Sequence, residues 1–327
     1  MERNILVDRL KGYACFLVLF GHVIMGIRVA GVPIPSFFAG VEKFIWSFHV
    51  ALFMFLSGVV YRQTNQWKSK QTKCRFILHK LGSLGIPYVV FSVIYIVINS
   101  LSGQANTQAS LLDICYIWKT PVAQYWFLYA LFFLFCIWTA LSGLLPDWGI
   151  TLAVVSLAYI LPMFGIGFGS FDVVFYTALP FGLGTCLNFS SLTKPPAWLK
   201  WVIVFAHIAT GIALVIMNWI EKPVIEEFMT CFGIYASVML ICLLRDCKPV
   251  NVFLDFMSRY SFQTYLLHTI FTAGIRSIML RMNITWWWLH VILGTVAGIG
   301  CSVLAAVIAK KFKFLNFLFF PTKVKHK

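Results

Sequence analysis

The chain has 327 residues, of which 60% are hydrophobic and only 11% charged, with a formal net charge of +15. A soluble globular chain carries about a quarter charged residues, and an outer-membrane barrel shows short alternating segments instead of long apolar runs. Both classes are excluded in favour of an all-α, polytopic membrane protein. The positive charge sits in clusters between apolar runs, which argues against a nucleic-acid partner and for the positive-inside rule.

In chain order, the N-terminal Met1-Glu-Arg-Asn has no small-residue cleavage site and reads as the lead into a retained first helix. About ten apolar spans follow, near 11–30, 44–61, 84–101, 125–145, 149–166, 172–188, 198–219, 229–245, 260–280 and 286–309. The fifth and sixth are short and Gly-rich. With both termini cytoplasmic, the inner segments hold twenty of the 26 Lys and Arg residues, and six fall outside: Arg28, Lys43, Lys119, Lys222, Arg276 and Arg281. That asymmetry sets the orientation. The stretches between spans are too short to bury a core of their own. Residues 1–327 therefore read as one membrane-embedded domain, with a basic tail from about 310 to 327 that fits a lipid-surface anchor. The nine cysteines are scattered without a CxxC pair and read as apolar filler, so no metal is expected.

Three histidines fall deep inside spans. Lys11 and His22 lie eleven residues apart on the first, which is about three turns and roughly 16 Å along one helix face. Lys11 marks the cytoplasmic mouth, where a flanking cation for topology is the plain alternative. His49 lies about five residues into the second span, about 8 Å below the outer face. His268 lies in the ninth, about 15 Å above the cytoplasmic face, with Arg259 at that span's entrance. Histidines at comparable depth on spans far apart in sequence point to a site, since ionisable groups within a membrane are costly. The Ser57-Gly58 pair reads as close helix packing. His207 and His290 read as core or interfacial residues, and His79 and His326 as solvated. The basic segment 62–83 serves topology or lipid headgroups, or else docks phosphates. Arg75 and Lys80 are its members nearest the membrane. No Asp or Glu falls clearly inside a span: Asp172 is at an edge, and Glu221, Glu226 and Glu227 lie outside.

Five stretches, in order, resemble the acyltransferase-3 family of bacterial membrane O-acyltransferases. The first is Lys11, ten residues, then His22. Next come Phe48-His49 through Ser57-Gly58, Ile86-Pro87-Tyr88, Trp126-Phe127-Leu128, and Ser258 through Tyr265-Leu-Leu-His268. Lys11 stands where Arg is commoner, which weakens a bidentate phosphate grip. Gly82-Ser83 replaces a basic pair, and Val50-Ala51 stands where the second-helix motif has Met-Pro.

The resemblance implies transfer of an acyl group, most often acetyl, from cytoplasmic acyl-coenzyme A to a hydroxyl. The acceptor would be a sugar of a surface polysaccharide or its polyprenyl-linked precursor, at the bacterial cytoplasmic (inner) membrane. The expected catalytic residues are His22, as base or acyl relay, with His49 and His268 orienting the acceptor or stabilising the oxyanion. Lys11, Arg75, Lys80 and Arg259 are the expected holders of acetyl-coenzyme A. The competing class is a transporter or exporter of a polar solute with a histidine proton-coupled site. A homo-oligomer stays open.

Overall fold

The computed structural model describes residues 4–64, 70–102 and 110–320. Among them no β-strand forms; helices follow one another along the chain. They are α1 (Ile5–Val29), α2 (Phe37–Trp46), α3 (His49–Thr64), α4 (Lys70–Lys80), α5 (Ile86–Ser102), α6 (Trp126–Leu141), α7 (Asp147–Met163) and α8 (Asp172–Tyr176). Then come α9 (Ala178–Cys186), α10 (Phe189–Leu192), α11 (Ala197–Ile216), α12 (Pro223–Leu243), α13 (Lys248–Arg259), α14 (Ser261–Arg281), α15 (Trp287–Ala309) and α16 (Lys313–Phe319). Lys68 and the end of the tail, with His326, lie outside the described residues.

Among the described residues seven stretches are long and apolar enough to cross a membrane: Ile5–Val29, Phe37–Thr64, Thr72–Leu101, Ala123–Leu141, Ala197–Ile216, Pro223–Asp246 and Trp287–Ala309. The other three expected spans differ for identifiable reasons. α7 has 17 residues, short for a 30 Å core. Residues 172–188 form two short helices, because Pro180 has no N–H to offer Tyr176 and the helix stops there. α14 has 21 residues but carries Gln263, His268, Arg276 and Arg281, which lower its hydropathy.

Contacts divide the described residues into two units. One runs up to Leu56 and resumes over Asn188–Ala305; the other is Ser57–Leu187 with residues from Ala306 on. In the first unit, α1 begins at Asn4, whose side chain accepts from the Leu6 and Val7 N–H groups at 3.1 and 3.3 Å. This caps two of the four donors that a helix start leaves open. Along α1, Leu19, Val23 and Ile27 form a buried stripe with Trp287 and Val291 of α15 against it. At Gly12 the helix meets α13 backbone to backbone. A methyl there would lie 3.0 Å from Ser258 N and 3.1 Å from the Leu254 carbonyl carbon, with its oxygen nearer still. Arg9 and Asp255 lock the same pair of helices, Nε to Oδ1 at 3.0 Å and Nη2 to Oδ2 at 3.2 Å.

The second expected span starts earlier than its apolar run, at Phe37, and it breaks at Ser47-Phe48. The carbonyls freed by the break find partners. His49 Nδ1 donates to Ile45 O at 2.8 Å, and Thr230 Oγ1 of α12 donates to Ser47 O at 2.9 Å. Gly233 of α12 faces Phe48, and Gly211 of α11 faces the Phe44 ring, each leaving no room for a Cβ. The earlier start also corrects the carboxylate reading. Glu42 lies within this stretch and is 7% exposed, held by Arg28 through two 3.0 Å hydrogen bonds.

In the second unit, α4 runs into α5 through a π-helical turn, Leu81–Gly85, closed by the Ile86 N–H on Leu81 O. Pro87 follows, where a missing N–H is tolerated in a first turn. Gly58 sits on the Phe181 carbonyl of α9, 3.1 Å from Gly184 Cα for a notional methyl, so Ser57-Gly58 marks close packing. Trp138 is fully buried and donates from Nε1 to Thr185 Oγ1 at 3.2 Å.

Candidate active site

The three histidines meet within the first unit. α1 and α14 lie side by side, bringing the His22 and His268 ring centroids to 5.1 Å. His49 interacts electrostatically with both. The break between α2 and α3 places Trp46 between, its ring 5.2 Å from His22 and 5.2 Å from His49, edge-on to both. The three imidazoles and the Trp46 indole form one cluster of rings.

Hydrogen bonds fix two of the imidazole tautomers. A carbonyl oxygen can only accept, so the nitrogen facing it carries the proton. His49 Nδ1 donates to Ile45 O, and His268 Nδ1 donates to Thr264 O and Tyr265 O, both at 2.9 Å. Nε2 is then the lone-pair nitrogen in each. In His268 that atom is buried and has no partner among the described residues. His49 and His268 are 1% and 0% exposed, whereas His22 is only partly buried. His22 is the least enclosed of the three by surface exposure, and the other two are held by the backbone. Such an arrangement can accept a proton from a hydroxyl, or donate one, within hydrogen-bond reach of the ring edges.

The expected donor-binding cations divide between the units. Lys11 lies on α1 beside Gly12, partly buried, with Asp8 Oδ1 4.0 Å from its Nζ. Arg259 ends α13, exposed. Arg75 and Lys80 belong to the second unit. Arg75 is exposed, while the Lys80 ammonium lies 4.0 Å from the Phe135 ring centroid and 5.2 Å from that of Phe76. Two other cations of the 62–83 segment cap helix ends: Arg62 donates to Cys186 O at 2.6 Å, and Lys73 to Ala140 O and Ser142 O.

His207 is 5% exposed among Phe44, Phe48 and Phe232, with ring centroids 4.9, 5.1 and 5.1 Å away. It is a core residue of the first unit, as its sequence setting suggests. Among the described residues no group of three or more His, Cys, Asp or Glu is placed to hold a metal ion.

Trp46 and Glu42 are the site neighbours that sequence reasoning passed over. Trp46 stands three residues before His49, which on an unbroken helix already puts it on the same face. Glu42 had a weaker signal, a lone acid just before an apolar run and fourteen residues from Arg28.

A helical membrane bundle with a histidine cluster between its helices defines a class that does chemistry, or moves protons, inside the bilayer. The chain belongs to the acyltransferase-3 family: the family's acyltransferase-domain profile matches residues 4–307, essentially its whole length. Membership makes it a membrane acyltransferase in general terms. No curated protein and no solved structure matches the chain.

Proposed function

We propose that this protein is an O-acyltransferase that moves an acyl group, acetyl in the first instance, from acyl-coenzyme A to a sugar hydroxyl. The acceptor is a surface polysaccharide or its lipid-linked precursor at the bacterial inner membrane. The observation that carries this reading is the contact of His22 with His268 beside Trp46 and His49, in a chain of this family.

His22 takes the proton of the acceptor hydroxyl as its oxygen attacks the thioester carbon. The carbon–sulfur bond breaks, and the coenzyme A thiolate leaves and recovers the proton. His268, with its Nε2 lone pair, and His49 hold the acceptor and the imidazole in line. General base catalysis supplies about 10²–10⁴-fold, and positioning supplies much of the rest. Lys11 and Arg259, at the end of the first unit where α13 meets α1, draw the coenzyme A phosphates; Arg75 and Lys80 are the second unit's candidates for that role. In this reading all ten expected spans cross the bilayer with both termini cytoplasmic, and the exposed Leu152, Leu157 and Ile160 of α7 face lipid.

Deleting the gene should remove an O-acyl group from the cell's surface polysaccharide. Wild type should restore it on complementation and His22→Ala should not. Unchanged polysaccharide acylation in the deletion strain would overturn the acceptor assignment.

A further inference from the structure

Arg276 stands two turns beyond His268 on α14, about 12 Å along the axis. Its guanidinium does not run along α14 toward the helix end. It turns onto α1 at Gly26, where a notional methyl would lie 3.1 Å from Cζ and nearer still to Nη1. Gly26 is one turn past His22, about 6 Å outward. The glycine makes the hollow in which this cation lies.

Among the described residues nothing neutralises it. In the first unit Asp255 pairs with Arg9, Asp8 with Lys11, Glu221 with Lys43 and Asp246 with Arg245, while Glu226 and Glu227, in the first turns of α12, do not act on Arg276. The contrast with Arg28 is instructive. That arginine, on the neighbouring turn of α1, is gripped by Glu42 through both nitrogens. Of two arginines near one end of α1, one is neutralised and the other is not. An unpaired, half-buried guanidinium in a membrane bundle is expensive and marks a ligand pathway.

A second unsatisfied group lies at this level. Gly294 of α15 meets Val23 and Gly298 meets Leu19, so α15 runs antiparallel to α1 and His290 falls level with Ile27. His290 is 2% exposed. Its Nε2 donates to Ile284 O at 2.8 Å, so Nδ1 is the lone-pair nitrogen, buried and without a partner. A fixed cation and an orphan acceptor together suit a ligand that carries an anionic group and a hydroxyl.

We propose that Arg276 binds an acid group, phosphate or carboxylate, on the acceptor, and so selects anionic sugars over neutral ones. This rests on reading the histidine cluster as the transfer site. A guanidinium offers two parallel N–H donors that match either oxyanion. It would hold the acid one turn outward while a hydroxyl on the same sugar reaches His22.

The test uses the full chain in maltoside detergent, which has no phosphate. Glucose 1-phosphate, glucuronate and methyl glucoside are titrated by calorimetry against wild type, Arg276→Gln, Arg276→Lys and Gly26→Ala. Wild type should bind one or both charged sugars at least tenfold tighter than the neutral one, as a charged hydrogen bond allows. Arg276→Gln should erase that preference and leave methyl glucoside binding where it was. Arg276→Lys should keep part of it. Gly26→Ala, which moves the guanidinium without removing it, should lower it. An equal preference in Arg276→Gln, or none in wild type, overturns the proposal. So does a phospholipid that native mass spectrometry finds on wild type but not on Arg276→Gln, and that neither charged sugar displaces; the cation then serves a headgroup. Acetyl-coenzyme A consumption by the same wild-type preparation is read separately. Its absence alongside a retained anion preference defeats acyl transfer and leaves the anion site standing.

Discussion

Gly12→Ala is the sharpest structural test of how the site is assembled. The added methyl would lie 3.1 Å from the Leu254 carbonyl carbon and 3.0 Å from Ser258 N. Carbon atoms pack best at about 3.5–4.0 Å, and the Leu254 oxygen is closer than its carbon, so α13 must retreat by roughly 1 Å. Neither neighbour is a flexible side-chain tip; both are helix backbone. Overpacking of this kind costs about 1–3 kcal/mol, or roughly 1–4 °C in melting temperature for a chain of this length. α13 leads through Tyr260 into α14, which carries His268. A 1 Å shift there is worth up to about a hundredfold in turnover. Gly274→Ala, also on α14, is the control, because a methyl there meets nothing within 4 Å. The assays are thermal unfolding in detergent and acetyl-coenzyme A turnover. If Gly12→Ala melts with wild type and turns over at the same rate, the reasoning that ties α13 packing to the histidines is wrong.

His268→Asn should keep the backbone hydrogen bond made by Nδ1 but lose Nε2, lowering kcat about a hundredfold or more while the melting temperature holds. A double-mutant cycle on Arg28 and Glu42 should give a coupling of about 1 kcal/mol in thermal unfolding, because the arginine side chain is half exposed to screening. Thr185→Val leaves the fully buried Trp138 N–H without its acceptor and should cost about 1–3 kcal/mol by the same measurement. Lys80→Met should raise the KM for acetyl-coenzyme A if its ammonium serves the donor. An unchanged KM would give it a packing role beside the Phe76 and Phe135 rings instead.

Much of the site could be read from the chain because it depends on short-range periodicity. Lys11 and His22 share a face whenever α1 is one helix, and α1 is unbroken from Ile5 to Val29. The pairing of His22 with His268 was hidden as a contact, since nothing local specifies that α1 and α14 are neighbours; only their similar depth hinted at it. The break at Ser47 was hidden too. Hydropathy is continuous through it, and its freed carbonyls are taken up by His49 and by Thr230, which is 183 residues away in sequence. α13 is different, because its signal was present and weak. Val250, Phe253, Leu254 and Met257 fall at i, i+3, i+4 and i+7, the pattern of an amphipathic helix, within a stretch too polar to register as a span. The interruption between α8 and α9 likewise follows from Pro180, which an apolar count ignores.

Acyl transfer through His22 is tested most directly with purified protein in detergent, radiolabelled acetyl-coenzyme A and the His22→Ala variant side by side. The account predicts thioester consumption by wild type and none by a variant that elutes and melts as wild type does. Consumption at the wild-type rate by His22→Ala would contradict it.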